Sequence, residues 1–102
     1  MIKIIDGTRY NTDTAILVSR YDSGNPASAF SYTEELYLTR KGAWFLAGRG
    51  GPPSPYGEEV RGILQFSSRV IPMSPSEARG WLEEHDEVQA LEEHFGHEIV
   101  DA

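Results

Sequence analysis

The chain has 102 residues, 39% of them hydrophobic and 11% aromatic, and a formal net charge of −7 at pH 7. That apolar content is too rich for a disordered chain, and the length suits one folded unit, so residues 1–102 are expected to form a single domain. The lack of cysteine excludes disulfides and thiolate chemistry, and no apolar run approaches the roughly 20 residues that span a bilayer.

The start, Met1-Ile2-Lys3-Ile4-Ile5-Asp6, is too short and too soon acidic for a signal peptide, and the expected setting is the cytoplasm. Ile2 to Ile5 reads as a strand turned by Asp6-Gly7, a pair that tolerates the positive φ of tight hairpins, with Thr8-Arg9-Tyr10 as its return. Asn11 or Thr12 offers a side-chain oxygen to cap a helix beginning near Asp13. Ala15, Ile16, Leu17, Val18 and Tyr21 follow, a β-branched run for which a strand is the alternative. Asp22-Ser23-Gly24-Asn25-Pro26 then ends the element with successive turn formers.

Tyr32–Leu38 and Ala43–Ala47, joined across Arg40-Lys41-Gly42, predict an antiparallel hairpin whose aromatics Tyr32, Tyr37, Trp44 and Phe45 supply much of the core. Gly48 to Gly57, with its glycines and prolines, has no periodicity and reads as loop, continuing towards Gly62. Ile63-Leu64-Gln65-Phe66 and Arg69-Val70-Ile71 are expected to add a further strand or two.

Ser74-Pro75-Ser76-Glu77 places a capping oxygen, an N1 proline and an N3 glutamate in the order of a capping box. Ala78, Trp81, Leu82, Val88, Leu91 and Phe95 then mark one apolar stripe. Asp86 followed by Gln89 reads as a second cap, so the segment is expected to break near His85-Asp86 into two helices that stop at Gly96. The expected fold class is α+β: a small antiparallel β-sheet packed against helices, with a C-terminal helix pair.

Charge is unevenly distributed. Residues 77–102 carry nine carboxylates against one base, Arg79, whereas the first 76 residues hold eight bases and seven acids. With the apolar stripe inward, Glu83, Glu84, Glu87, Glu92 and Glu93 turn outward. Carboxylates three or four apart on a helix have a spacing comparable to successive phosphates of a nucleic-acid strand. An ordinary solvated helix surface would usually intersperse Lys or Arg, because like charges at i,i+4 cost about 0.2–0.5 kcal/mol per pair. A field of one sign on one surface steers partners of the other sign, here a protein with a basic surface. An isoelectric point near 4.8 argues against direct nucleic-acid binding.

Other chemistry finds less support. Gly48-Arg49-Gly50-Gly51 follows a strand but leads into prolines and lacks the Lys-Ser/Thr ending of a phosphate-binding loop. His94 and His97 are separated by Gly96 and lack converging ligands for a metal. Glu34 and Glu35 are adjacent on a strand, so they point to opposite faces and cannot share a substrate. Neither a cofactor, a metal nor an enzymatic activity is expected. Tyr56, between Pro55 and Gly57, is expected to be exposed in a stiff loop and, with Arg49, to offer a rival contact surface.

Ile5-Asp6-Gly7-Thr8-Arg9-Tyr10-Asn11-Thr12, Glu35 to Leu46, and Ile71-Pro72-Met73-Ser74 with Glu77 to Leu82 together resemble a group of small uncharacterised proteins of bacterial phages, plasmids and conjugative elements. The resemblance spans most of the chain and its motifs are structural. Small acidic proteins of such elements include anti-CRISPR proteins, several of which bind the basic nucleic-acid grooves of CRISPR effectors. The resemblance therefore implies an inhibitor that blocks such a groove. The alternative is an antitoxin-like or regulatory accessory protein acting through a helix-mediated interface.

Overall fold

The computed structural model describes residues 1–25, 27, 28 and 30–102; Pro26, expected to close a turn, lies outside the described residues. The chain forms β1 (Ile2–Ile5), β2 (Thr8–Asn11), β3 (Ile16–Ser23), β4 (Tyr32–Leu38), β5 (Trp44–Gly50), β6 (Glu58–Val60), β7 (Ile63–Gln65), β8 (Ser67–Met73), α1 (Pro75–Glu84) and α2 (Val88–Phe95). A 3₁₀ turn, Gly96–Glu98, ends the last helix. The result is α+β, an antiparallel four-stranded sheet of order β3-β4-β5-β8 with two small hairpins and a C-terminal helix pair.

The sheet is covered on both faces. Leu36 on β4 lies opposite Leu46 on β5, and both sit with Trp44 against Ala78, Trp81, Leu82 and Phe95 of the helices. On the other face Tyr37, Phe45, Ala47 and Val70 pack with Ile5, Tyr10 and Ala15 from the β1–β2 region. Tyr37 stacks on Phe45 at 5.1 Å between ring centroids, and Tyr10 meets Phe45 edge-on at 5.4 Å. Phe45, Leu36 and Leu82 are the largest fully buried side chains, and each such burial contributes about 1.5–3 kcal/mol.

Several expectations are corrected. Asn11 does use its side-chain oxygen, accepting from Asp13 N–H at 2.9 Å, but this closes a turn and no helix follows. The segment from Ile16 is strand β3, because its β-branched and apolar residues pair along the Tyr32–Leu38 strand. Ile63–Gln65 is a strand as expected, but its partner is Glu58–Val60, read as loop, across Arg61 and Gly62 in left-handed conformation. Strand β8 instead forms the far edge of the main sheet.

The Gly48-to-Gly57 stretch also divides differently. Gly48, Arg49 and Gly50 belong to β5, paired with Arg69, Ser68 and Ser67 on one side and Glu34, Thr33 and Tyr32 on the other. The glycines make room for the loop that follows, which folds back over the sheet. A Cβ on Gly48 would stand 1.9 Å from the Tyr56 ring, so only a bare backbone admits that ring.

Three substitutions test this packing. Gly48→Ala is expected to destabilise the protein markedly in urea denaturation. Gly80→Ala, at an exposed interior position of α1 with open space around it, should stabilise by about 0.8–1 kcal/mol through helix propensity. Trp81→Ala, which empties a buried position of α1 against the sheet, should cost about 3–5 kcal/mol in the same measurement.

Candidate functional site

The acidic surface is built on the helix pair. Ser74 Oγ accepts from Glu77 N–H at 3.1 Å while Glu77 Oε1 accepts from Ser74 N–H at 2.9 Å, completing the predicted capping box behind Pro75. Helix α1 ends at a left-handed residue, Asp86, with φ +55°. Glu87 N–H donates to the Leu82 carbonyl and Asp86 N–H to that of Glu83, the bonding of a Schellman stop. Asp86 thus terminates α1, where the sequence reading makes it a cap for α2. The N-cap of α2 is Glu87, without a side-chain cap bond. Gly96 keeps a right-handed helical conformation and passes the chain into the 3₁₀ turn, so it is not a left-handed stop.

Ala78, Trp81, Leu82 and Phe95 are buried and Leu91 packs against them, but Val88 is 61% exposed and leaves the predicted stripe. The break explains this: α2 starts a new phase two residues after α1 turns, so residues on either side do not continue one periodicity. Glu83, Glu84, Glu92 and Glu93 are exposed and Glu87 is half-buried. The break also splits the carboxylates into a corner cluster of Glu83, Glu84, Asp86 and Glu87 and a second pair, Glu92 and Glu93, in place of one evenly spaced row.

Among the described residues no cation neutralises them. Arg79, the single base of this segment, is bound to Glu98 at 2.5 Å. Among the described residues, none of Glu83, Glu84, Asp86, Glu87, Glu92 or Glu93 has a Lys, Arg or His nitrogen within 4 Å. The last turn of α1 holds Glu83 and Glu84 and no base. Negative charge there opposes the helix dipole, by about 0.3–1 kcal/mol for each exposed group.

The rival surface is not assembled. Tyr56 is 4% exposed, against the expectation that it stands free in the loop. Its hydroxyl donates to Glu34 Oε2 at 2.5 Å, and Trp81 Nε1–H donates to Glu34 Oε1 at 3.0 Å. Arg69 lies over the Tyr56 ring at 5.2 Å. Arg49, one strand position from Gly48 and in register with Thr33, projects to the other face and donates to Glu35 at 3.2 Å. Tyr56 and Arg49 therefore sit on opposite sides of the sheet, as do Glu34 and Glu35, and the pair makes no common contact surface.

His85 packs between Tyr21 and Trp81, with ring centroids at 4.4 and 4.2 Å, and its Nδ1–H donates to the Trp81 carbonyl at 2.7 Å. His94 lies edge-on to Trp44 and His97 beside Glu98. Among the described residues no three His, Asp or Glu side chains converge to hold a metal, and no helix is long and apolar enough to cross a membrane.

The β6–β7 hairpin, whose first strand the sequence reading takes as loop, is a second solvent-facing surface. All its strand residues are exposed, including Ile63 at 68% and Leu64 at 58%. Comparison with known proteins adds nothing to this geometry, since no family model, curated protein or solved structure matches the chain.

Burial raises the Tyr56 hydroxyl well above the ordinary tyrosine value, and the Glu34 carboxylate raises it further; burial likewise raises Tyr37. Both groups favour their protonated form in the folded state. The contribution of these two groups to stability is therefore fully present below pH 10, the unfolded value, and is lost as pH climbs past it towards the folded values. Denaturation midpoints recorded across alkaline pH should decline from that point. Tyr56→Phe, weaker at neutral pH for want of one hydrogen bond, should decline less steeply.

Proposed function

We propose that this protein binds another protein through its acidic helix corner, occupying a basic surface that would otherwise hold nucleic acid. The observation that carries the reading is a set of exposed carboxylates with no cation beside them, two of which stand at the helix end where negative charge is unfavourable. Such a surface is a cost to the isolated chain. A Lys- or Arg-lined groove would repay that cost by supplying the missing counter-charges, and complementarity of this kind mainly raises the association rate. The process needs neither cofactor nor catalysis, because occupancy alone blocks the groove.

The resemblance to small mobile-element proteins makes the specific form of this reading an anti-CRISPR inhibitor, with a CRISPR effector as the basic partner. A helix-mediated regulatory interface has less support. The apolar stripe of α1 and α2 is already spent on the sheet, leaving Val88 as the exposed apolar residue among the helix positions assigned to it.

The test is competition for DNA binding by purified CRISPR effector complexes, measured over a salt series. Inhibition should weaken steeply as salt rises. Replacing Glu83, Glu84, Glu92 and Glu93 together by Lys should abolish it while leaving the fold intact, with any change in thermal stability upwards because helix-end repulsion is relieved. Undiminished inhibition by that variant would move recognition to another surface, the apolar β6–β7 hairpin first.

A further inference from the structure

An open cleft of about 550 Å³ lies between the β1–β2 hairpin and the turn joining β4 to β5. Its lining includes Arg9, Arg40 and Lys41 and no acidic side chain. All three are exposed. Among the described residues none of them has a carboxylate within 4 Å, whereas Arg20, Arg49 and Arg79 are paired. Three free cations thus gather at one concavity of a chain whose net charge is −7. Like charges so placed repel one another until an anion enters between them.

The backbone adds donors. The cleft is lined by all four β2 residues, Thr8 to Asn11, and by none of β1, so it borders the unpaired edge of β2. Hydrogen-bonded and non-bonded pairs alternate along an antiparallel ladder. Thr12 N–H bonds the Met1 carbonyl at 3.0 Å, which sets the phase. Ile4↔Arg9 and Ile2↔Asn11 are then the non-bonded pairs, and the Arg9 and Asn11 N–H groups point away from β1 towards the cleft. Guanidinium forks, an ammonium and outward amides form a donor set suited to a compact, multiply charged oxyanion.

We infer that this cleft binds a small polyanion of the phosphate-ester or pyrophosphate class. Its volume is within the range of small-molecule sites. The rest of the charge distribution favours a small ligand over an extended nucleic acid, because the acidic helices repel a long polyanion while a compact one meets the local cations alone. The site is independent of the helix corner and of the partner proposed for it.

The experiment is an amide-resolved NMR titration of the whole chain with inorganic pyrophosphate at low ionic strength, with citrate and a short single-stranded oligonucleotide as parallel arms. Saturable shifts centred on Thr8–Asn11 and Thr39–Ala43 are expected with pyrophosphate. Arg9→Gln and the pair Arg40→Gln with Lys41→Gln should each weaken binding about tenfold or more. Arg61→Gln, which removes an equal charge outside the cleft, should leave it unchanged. Citrate binding as tightly at the same amides would assign the site to carboxylate ligands and overturn the phosphate class. Absence of saturation, shifts elsewhere, equal loss with Arg61→Gln, or tighter binding of the oligonucleotide would also overturn the inference. So would concentration-dependent shifts of the same amides without any anion, which would mean that a second copy's acidic helices fill the cleft.

Discussion

The Glu34 carboxylate is the point on which the helix-covered side of the sheet depends. It is a charged group on the central strand pair, and its two oxygens accept from two different elements: Tyr56 of the loop after β5 and Trp81 of α1. A half-buried carboxylate with donors on both oxygens is satisfied; one stripped of either donor is costly. The interaction therefore fixes the loop, the first helix and the sheet relative to one another. Tyr56 can reach Glu34 only by lying across Gly48, which makes the glycine on β5 and the acid on β4 parts of one arrangement, directly opposite in register. His85 extends the same cluster towards β3 by stacking between Trp81 and Tyr21.

That arrangement explains what was legible in the sequence and what was not. Elements specified by local signals came through: the Asp6-Gly7 hairpin, the Tyr32–Leu38 strand, and the Ser74–Glu77 capping box all sit where residue chemistry alone places them. So did the division of the C-terminal segment, although Asp86 acts as a left-handed stop and not as a cap. Features set by distant contacts did not. Gly48-Arg49-Gly50 reads as loop because glycine disfavours strands, yet it is strand because an aromatic ring some residues later needs the space. Tyr56, flanked by Pro55 and Gly57, carries every local mark of exposure and is buried by a partner on β4. The turn at Arg61-Gly62 lacks the Asn-Gly or Asp-Gly signature, and its hairpin went unread.

The candidate surfaces divide along the same line. The acidic corner was visible in the sequence because it depends on composition alone: nine carboxylates and one base in 26 residues leave most of them unpaired in almost any helical packing. The structure adds that Arg79 is committed to Glu98 and that the remaining acids fall into two groups around the break. The basic cleft was invisible. Arg9 and the Arg40-Lys41 pair are some 30 positions apart in sequence. Only the packing of the β1–β2 hairpin onto the Phe45 face brings them to one concavity.

Covering the central sheet on both faces is what keeps these two fields apart. The helices occupy the Leu36–Leu46 side and carry the acids; the β1–β2 hairpin occupies the Phe45 side and brings Arg9 to the turn bearing Arg40 and Lys41. Between them lies a low-dielectric layer of buried aromatic and aliphatic side chains. Charges across such a layer cannot approach closely enough to neutralise one another, so each surface keeps its own field at close range, while salt damps what passes through the surrounding solvent. Without the β1–β2 hairpin the Phe45 face would lose Arg9 and the β2 edge, and with them one wall of the cleft. The third layer, a two-stranded hairpin that is marginal on its own and is held by Tyr10 and Ile5 against Phe45, is therefore what allows one small chain to present two surfaces of opposite sign.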